Sequence, residues 1–260
     1  MNITDRATAR TILGAIESTG ANVPKVAAAY AHATKISDAA NALYIPQDAL
    51  TLAVVAALED DRDPGNDEEV RRIVTTNTFA NPGITQAIVA HAFDGFVAVC
   101  QSNLDAIVKA LRKPFDAAAA TLAEAHTRIG DVPIEDTGTI MRRGGDIAAV
   151  WAKATAAVKV IDAADAGWQA LGTITRTSSS NRLYRVLRFA DVNHATWTER
   201  EFEGMKLSPW DAIRAGLAPS LPTMSEYRQR VAVIVAGHAG VAEQDARRQL
   251  AHDTNRRFDG

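Results

Sequence analysis

Along most of the chain, apolar residues recur at steps of three and four, the spacing of one face of an α-helix. Ile12, Leu13 and Ile16 share such a face; Thr4 or Asp5 can cap its start and Gly20 ends it. Pro24 suits the first turn of a second helix reaching residue 34, followed by a short piece at 37–43. Pro46 opens a third, with Leu50, Val54, Ala57 and Leu58 at helical spacing. Residues 59–66 are charged and then broken by Pro64-Gly65, the texture of a loop. Asp67, with Glu68 and Glu69 in the first turn, begins a fourth helix through Val70, Ile73 and Val74 that ends before Asn81.

The middle of the chain predicts its largest element. Asn81-Pro82 combines a capping side chain with a proline at the first helical position. From there Ile84, Ile88 and His91, then Leu104, Ile107, Leu111, Phe115, Ala118, Leu122 and Ala125 make an outgoing arm, with a kink expected at Pro114. Gly130, Asp131 and Pro133 turn the chain. The return runs through Ile140, Gly144, Ile147, Trp151, Ala154, Val158, Ile161, Asp165 and Trp168 in alternating steps of four and three, as in a coiled-coil seam. The expected fold is all-α: a helical bundle built around a long antiparallel helical hairpin, residues 82–128 against 136–171, with short flanking helices. An arm of about 45 residues is roughly 65–70 Å long. A compact chain of this size is roughly 45–50 Å across, so a straight hairpin would protrude.

After Gly172 the texture changes. Residues 173–181 are polar and rich in turn formers. Leu183, Val186, Leu187 and Ala190 then suit one helical face, with a β-hairpin over 172–189 as the rival reading. Ser208-Pro209 starts a helix that Gly216 ends. Thr223 and Glu226 form a capping box before a helix over 227–236, and a last amphipathic segment covers 241–256. The expected organisation is a short-helix region at 1–80, the hairpin at 81–172 and a helical region at 173–260, three parts that may share one domain.

Composition supports the helical reading. Alanine accounts for 50 of 260 residues and aromatics for only 6%, which favours helix over sheet across whole windows. With 47% hydrophobic and 23% charged residues the chain is not disordered as a whole. The net charge of −3 argues for neither nucleic acid nor an anionic membrane as an overall partner. The lone Cys100 excludes an internal disulfide and any multi-cysteine metal centre. The first residues lack the basic-then-apolar order of a signal peptide, and no apolar window is expected to approach bilayer length. These features predict a cytoplasmic protein, or one assembled in a cytoplasm as part of a virion.

Candidate chemistry is sparse. Asp60, Asp61, Asp63, Asn66 and Asp67 resemble a calcium loop only in composition: counted from Asp61, the sixth position is Asn66 and the twelfth Arg72, where glycine and glutamate are required. They predict a solvated loop that caps the next helix. None of the six histidines stands at metal-pair spacing, and His91 is expected on the buried seam. No nucleophile elbow, phosphate-binding loop or dinucleotide turn occurs, so no catalytic residue, metal or cofactor is assigned.

Residues 176–188 carry the strongest local charge. Arg182, Arg185 and Arg188 would point the same way on a helix and, with Arg176, could bind nucleic-acid phosphates or another anion. The plainer alternative is a solvated face or ion pairs with acids elsewhere. Trp197 and Trp210 could anchor a partner interface or simply lie in the body. The functional expectation is a structural or interaction protein (a scaffold, adaptor or phage-assembly component) joined to protein partners or to itself through the hairpin. The alternatives are a nucleic-acid-associated helical protein using the arginine segment, and an enzyme with a site between helices.

Overall fold

The computed structural model describes residues 3–43, 45–46, 48–79, 81–176, 186–188, 190–193, 195–197 and 208–258; for 3–5, 241–242 and 244–258 it describes the backbone alone. The fold is all-α. Its long helices are α1 (Ile3–Thr19), α2 (Pro24–Asn41), α3 (Ala49–Glu59), α4 (Glu68–Phe79), α5 (Pro82–Ser102), α6 (Leu104–Ile129), α7 (Thr137–Arg142), α8 (Gly145–Ile174), α9 (Pro209–Arg214) and α10 (Met224–Phe258). The one β contact among the described residues is an isolated antiparallel bridge between Ala190 and Pro219.

The chain divides into two compact units. One comprises Met1–Leu13 and Val23–Asn103, the other Gly14–Asn22 and Leu104–Gly260. In the first unit α2 packs on α5, and α3 packs on α4. Asn81 caps α5 by accepting from the Gly83 amide at 2.8 Å, with Pro82 next in line. Phe93 and Phe96 of α5 are fully buried, and Tyr30 of α2 meets both rings edge-on at 6.3 and 5.8 Å. The Thr34 and Ser37 hydroxyls of α2 are buried with no hydrogen-bond partner among the described residues. Packing in this unit is thin: α3 buries only Ala57, and α4 only Val70 and Ile73.

The second unit has a heavier core. α6 and α8 pack along each other in opposite directions. Leu111, early in α6, lies beside Gly167, late in α8, while Arg143, just before α8, donates to the Ile129 carbonyl at the end of α6. α6 buries Ile107, Val108, Leu111, Phe115, Leu122 and Ile129. Indole N–H groups pin loops onto this frame: Trp151 donates to the Ile134 carbonyl at 2.8 Å, Trp168 to Pro222 at 2.7 Å and Trp210 to Val132 at 2.9 Å. Trp168 and Trp210 each bury a large apolar ring and satisfy its one polar atom at the same time, and Trp151 does so half-buried. Capping boxes start both C-terminal helices. Ser208 and Asp211 bond reciprocally before α9, and Thr223 and Glu226 do so before α10. α10 then runs without a break through Gly237 and Gly240, where two helices were expected.

The long hairpin is not borne out. Its outgoing arm is two helices, because the Asn103 side chain donates to the Val99 carbonyl at 2.8 Å and its backbone leaves helical geometry. Asparagine competes for helix-end carbonyls in this way. The break coincides with the boundary between the units, so the two halves of that arm belong to different bodies. The returning arm is interrupted as well, at Gly144, whose φ of +101° only glycine adopts readily. α6 does continue through Pro114. The expected seam is firm where Ala154, Ile161, Asp165 and Trp168 are buried and looser at Ile147, Trp151 and Val158, while Gly144 is exposed. His91, expected on that seam, is exposed too. α5 corrects the membrane-length expectation: despite Gln86, His91, Asp94 and Gln101 it is long and apolar enough to cross a bilayer, by length and composition alone. A soluble core helix passes the same test, and α5 spends its aromatic residues on packing against α2.

Gly167 marks the tightest approach in the second unit. A Cβ added there would lie 2.4 Å from the Cβ of Ala15, at the end of α1, closer than two carbons can come. Gly167→Ala should therefore lower stability by about 1–3 kcal/mol through overpacking, although alanine is the better helix former by roughly 1 kcal/mol. Adding Ala15→Gly should restore most of the loss, as read from the urea midpoint of the three chains.

Candidate interaction surface

α3 is the least concealed apolar helix in the described structure. Its sequence from Ala49 to Leu58 contains no charged residue. Leu52, Val55 and Leu58 are nevertheless 62%, 45% and 59% exposed. At steps of three they form a slightly slanted stripe on the face opposite Ala57. Isolated exposed leucines are ordinary, but several large apolar side chains on one open face are a marker of contact surfaces. Val74, Phe79 and Ile84 of the same unit are also exposed.

The loop that follows holds α3 and α4 in place. α3 ends in a Schellman motif: Arg62 N–H donates to the Ala57 carbonyl at 2.8 Å and Asp61 N–H to Leu58 at 3.2 Å. The left-handed position of that motif is Asp61, at φ +55°, where glycine is the usual occupant. Asp67 does what the sequence predicted and caps α4, accepting from the Glu69 and Val70 amides at 3.0 and 3.1 Å. Its other oxygen pairs with Arg62, which also holds Asp60 at 2.9 Å. The hydrogen bond from Arg62 to Asp60 keeps that guanidinium above its usual pKa, and Arg72 holds the Glu69 carboxyl below the ordinary carboxylate range. Arg71 is tied to the Gly65 carbonyl and to Asn66. The loop is thus closed on itself by capping and ion pairing. Among the described residues no group of three or more histidine, cysteine or acidic side chains is arranged to hold a metal ion.

In the second unit, the arginine segment has a different fate from the one expected of it. Arg188 is buried, 6% exposed, and its guanidinium grips Asp165 of α8 through Nε at 2.9 Å and Nη2 at 3.3 Å. Gln169 donates to the same carboxylate at 2.8 Å. This arginine neutralises a charge on the seam and is not on an open basic face. Arg176 is exposed, at φ +54° just past α8. Arg182 and Arg185 lie outside the described residues, as does most of the stretch weighed between helix and β-hairpin; Val186–Arg188 form a short 3₁₀ turn. Trp197 and Trp210 are both fully buried and so are core residues instead of partner anchors, Trp210 lying edge-on to His126 at 5.8 Å.

A half-open cleft of about 540 Å³ is lined by Asp191, Asn193, Glu226, Gln229, Arg230 and Val233. Two of its three ionic groups, Arg230 and Glu226, are committed to structure, while Asp191 is exposed and lies 3.9 Å from Arg230. Arg230 donates to the Leu187 and Ser220 carbonyls at 3.0 and 3.2 Å and to the Ser220 hydroxyl at 2.7 Å, and burial lowers its pKa. Glu226 accepts from the Thr223 amide and from Arg112, and the amide bond in particular depresses its pKa. Cys100 is fully buried, and burial pushes its thiol up to about 12, the opposite of a nucleophile's tuning.

No protein-family model, characterised protein or solved structure matches the chain. For the buried pair, Arg188→Met or Asp165→Leu alone should cost about 3–5 kcal/mol, because each leaves an uncompensated buried charge. The double variant should be much closer to wild type. Thermal unfolding of the four chains gives the comparison, and additive losses would show that the two charges do not act as a pair.

Proposed function

We propose that the protein acts by binding another protein, as a component or adaptor of a larger assembly, with α3 as the contact surface. The observation that carries this reading is the exposure of Leu52, Val55 and Leu58 on a helix that has no charge before Glu59. Uncovered, such a stripe lowers solubility and gains nothing for the fold; covered, it contributes roughly 25 cal/mol for each Å² removed from water. The thin burial of α3 and α4 fits a unit completed by a partner. The contact expected of a long hairpin is thereby moved to a short helix of the first unit.

The nucleic-acid alternative loses support, since Arg188 is spent on Asp165 and the chain as a whole is acidic, at −3. An enzymatic role has little to rest on in the cleft, where Arg230 and Glu226 are committed to structure and only Asp191 is left exposed.

Sedimentation tests the reading. The 260-residue chain, alone and mixed with extract of its own cell, is compared with a variant carrying Leu52→Gln, Val55→Thr and Leu58→Gln. We expect a discrete species heavier than the 27.8 kDa monomer that the triple variant fails to form while keeping its helical circular dichroism. A monomer under all conditions, or a complex indifferent to the three substitutions, would contradict it.

A further inference from the structure

The end of the α3 stripe carries a charge pattern that the fold itself does not explain. A helix C-terminus is the negative end of the backbone dipole and is stabilised by cations, yet the last turn of α3 has none. It carries Glu59 instead, followed by Asp60 and Asp61. Asp60 is answered by Arg62, but neither the Glu59 nor the Asp61 carboxylate has an ion-pair or hydrogen-bond partner among the described residues. The neighbouring bases are engaged elsewhere: Arg62 with Asp60 and Asp67, Arg71 with Gly65 and Asn66, Arg72 with Glu69. Asp61 adds backbone strain, since a non-glycine residue at φ +55° is disfavoured. Two acids thus sit at the negative pole of a helix, beside an exposed apolar stripe, to the detriment of local stability.

Resting on the interaction reading above, we infer that the partner presents an amphipathic helix whose apolar face ends in cationic side chains. The apolar face lies along Leu52, Val55 and Leu58, and the cations meet Glu59 and Asp61. The partner contact is helical because the middle of α3 offers side-chain ridges and no unpaired backbone groups, so an added strand would find nothing to pair with. The stripe spans about 9 Å of helix axis, two turns, which matches anchors at i, i+3 or i+4, and i+7 on the facing helix. The cationic end follows from charge. A second copy of this chain fits poorly: pairing α3 with itself in antiparallel fashion brings Glu59 and Asp61 toward the partner's Asp48, and parallel pairing sets Glu59 against itself. An anionic lipid surface would be repelled by the same acids.

The test uses the full chain and synthetic 18-residue peptides with leucines at helical i, i+3, i+4 and i+7 spacing. One set carries three arginines at a terminus and the other three glutamates at the same terminus, each made in both polarities. Fluorescence anisotropy should show the arginine-ended peptide binding about tenfold more tightly at low ionic strength, with the gap shrinking in high salt. The variant with Leu52→Gln, Val55→Thr and Leu58→Gln should bind neither peptide. Asp61→Gly separates the two roles of that residue: it should raise the melting temperature by relieving the backbone, yet weaken binding of the arginine-ended peptide. Equal binding of both peptides, binding of neither, binding indifferent to the stripe, or an Asp61→Gly chain that binds as well as wild type would overturn the inference. So would stripe-dependent binding to phosphatidylcholine–phosphatidylglycerol vesicles, or stripe-dependent self-association. If sedimentation still detects a stripe-dependent complex with a different protein while the arginine preference is absent, only the partner's chemistry is refuted; if no complex forms in either assay, both readings fall.

Discussion

The second unit depends on burying the C-terminal half of α8 on nearly every side. Ala164, Asp165, Gly167, Trp168, Ala170, Leu171, Gly172 and Ile174 are all buried, so that only the narrow line of Ala166, Gln169 and Thr173 is left toward solvent. A helix enclosed in this way must satisfy three conditions. It needs small residues where another backbone comes close, and Gly167 provides this against Ala15. It needs a partner for any charge it carries, and Arg188 provides this for Asp165. It needs its large rings anchored through their polar atoms, and the Pro222 carbonyl does this for Trp168, whose ring also meets Tyr227 edge-on at 4.9 Å. Those same contacts recruit segments far apart in sequence, so the last turn of α1 around Ala15, the 3₁₀ turn at 186–188 and the start of α10 are organised around one helix.

The first unit is built on a different balance. Its aromatic contacts lie between α2 and α5, and the α3–α4 pair adds only Ala57, Val70 and Ile73 to the buried set. The loop joining α3 and α4 is, by contrast, densely bonded. Local hydrogen bonds therefore hold the shape of this pair where burial does not. A rigid, weakly buried apolar element is what a docking surface requires: the helix is ordered before the partner arrives, so less conformational entropy is lost on binding. The unfavourable acids at the end of α3 belong to the same balance, since their cost to the free chain can be offset in a complex.

Legibility in the sequence followed the range of the interactions involved. Helix starts at Asn81-Pro82, Ser208-Pro209 and Thr223 were readable because a cap is decided within four residues. The stops at Gly20 and Gly216 were readable for the same reason, and both glycines have positive φ. The break at Asn103 was missed because hydrophobic periodicity can pass across a single non-helical residue; the signal was the pair Ser102-Asn103 followed by Asp105, an end and a new first turn. For Arg188 the ion pair with an acid elsewhere was one of the readings weighed, but its partner could not be named because it lies 23 residues away. The clue was Asp165 itself, an acid on an otherwise apolar seam, which needs a buried cation. In α3 the set Leu50, Val54, Ala57 and Leu58 held only in part, since Ala57 is buried but Leu58 is exposed, and Leu52 and Val55 were not weighed. A short surface helix that is apolar all round is either enclosed or waiting to be covered.

The central claim is that the two units differ in how their helices are held, α8 by enclosure and α3 by local bonding around an uncovered stripe. Native-state hydrogen exchange on the full chain measures this difference directly. Amides in the C-terminal half of α8 should exchange only through the largest opening the unit undergoes, while those of α3 should exchange at least about 100-fold faster, through local opening. Protection of α3 equal to that of α8 would contradict the account, because it would mean that the stripe is already covered in the isolated chain.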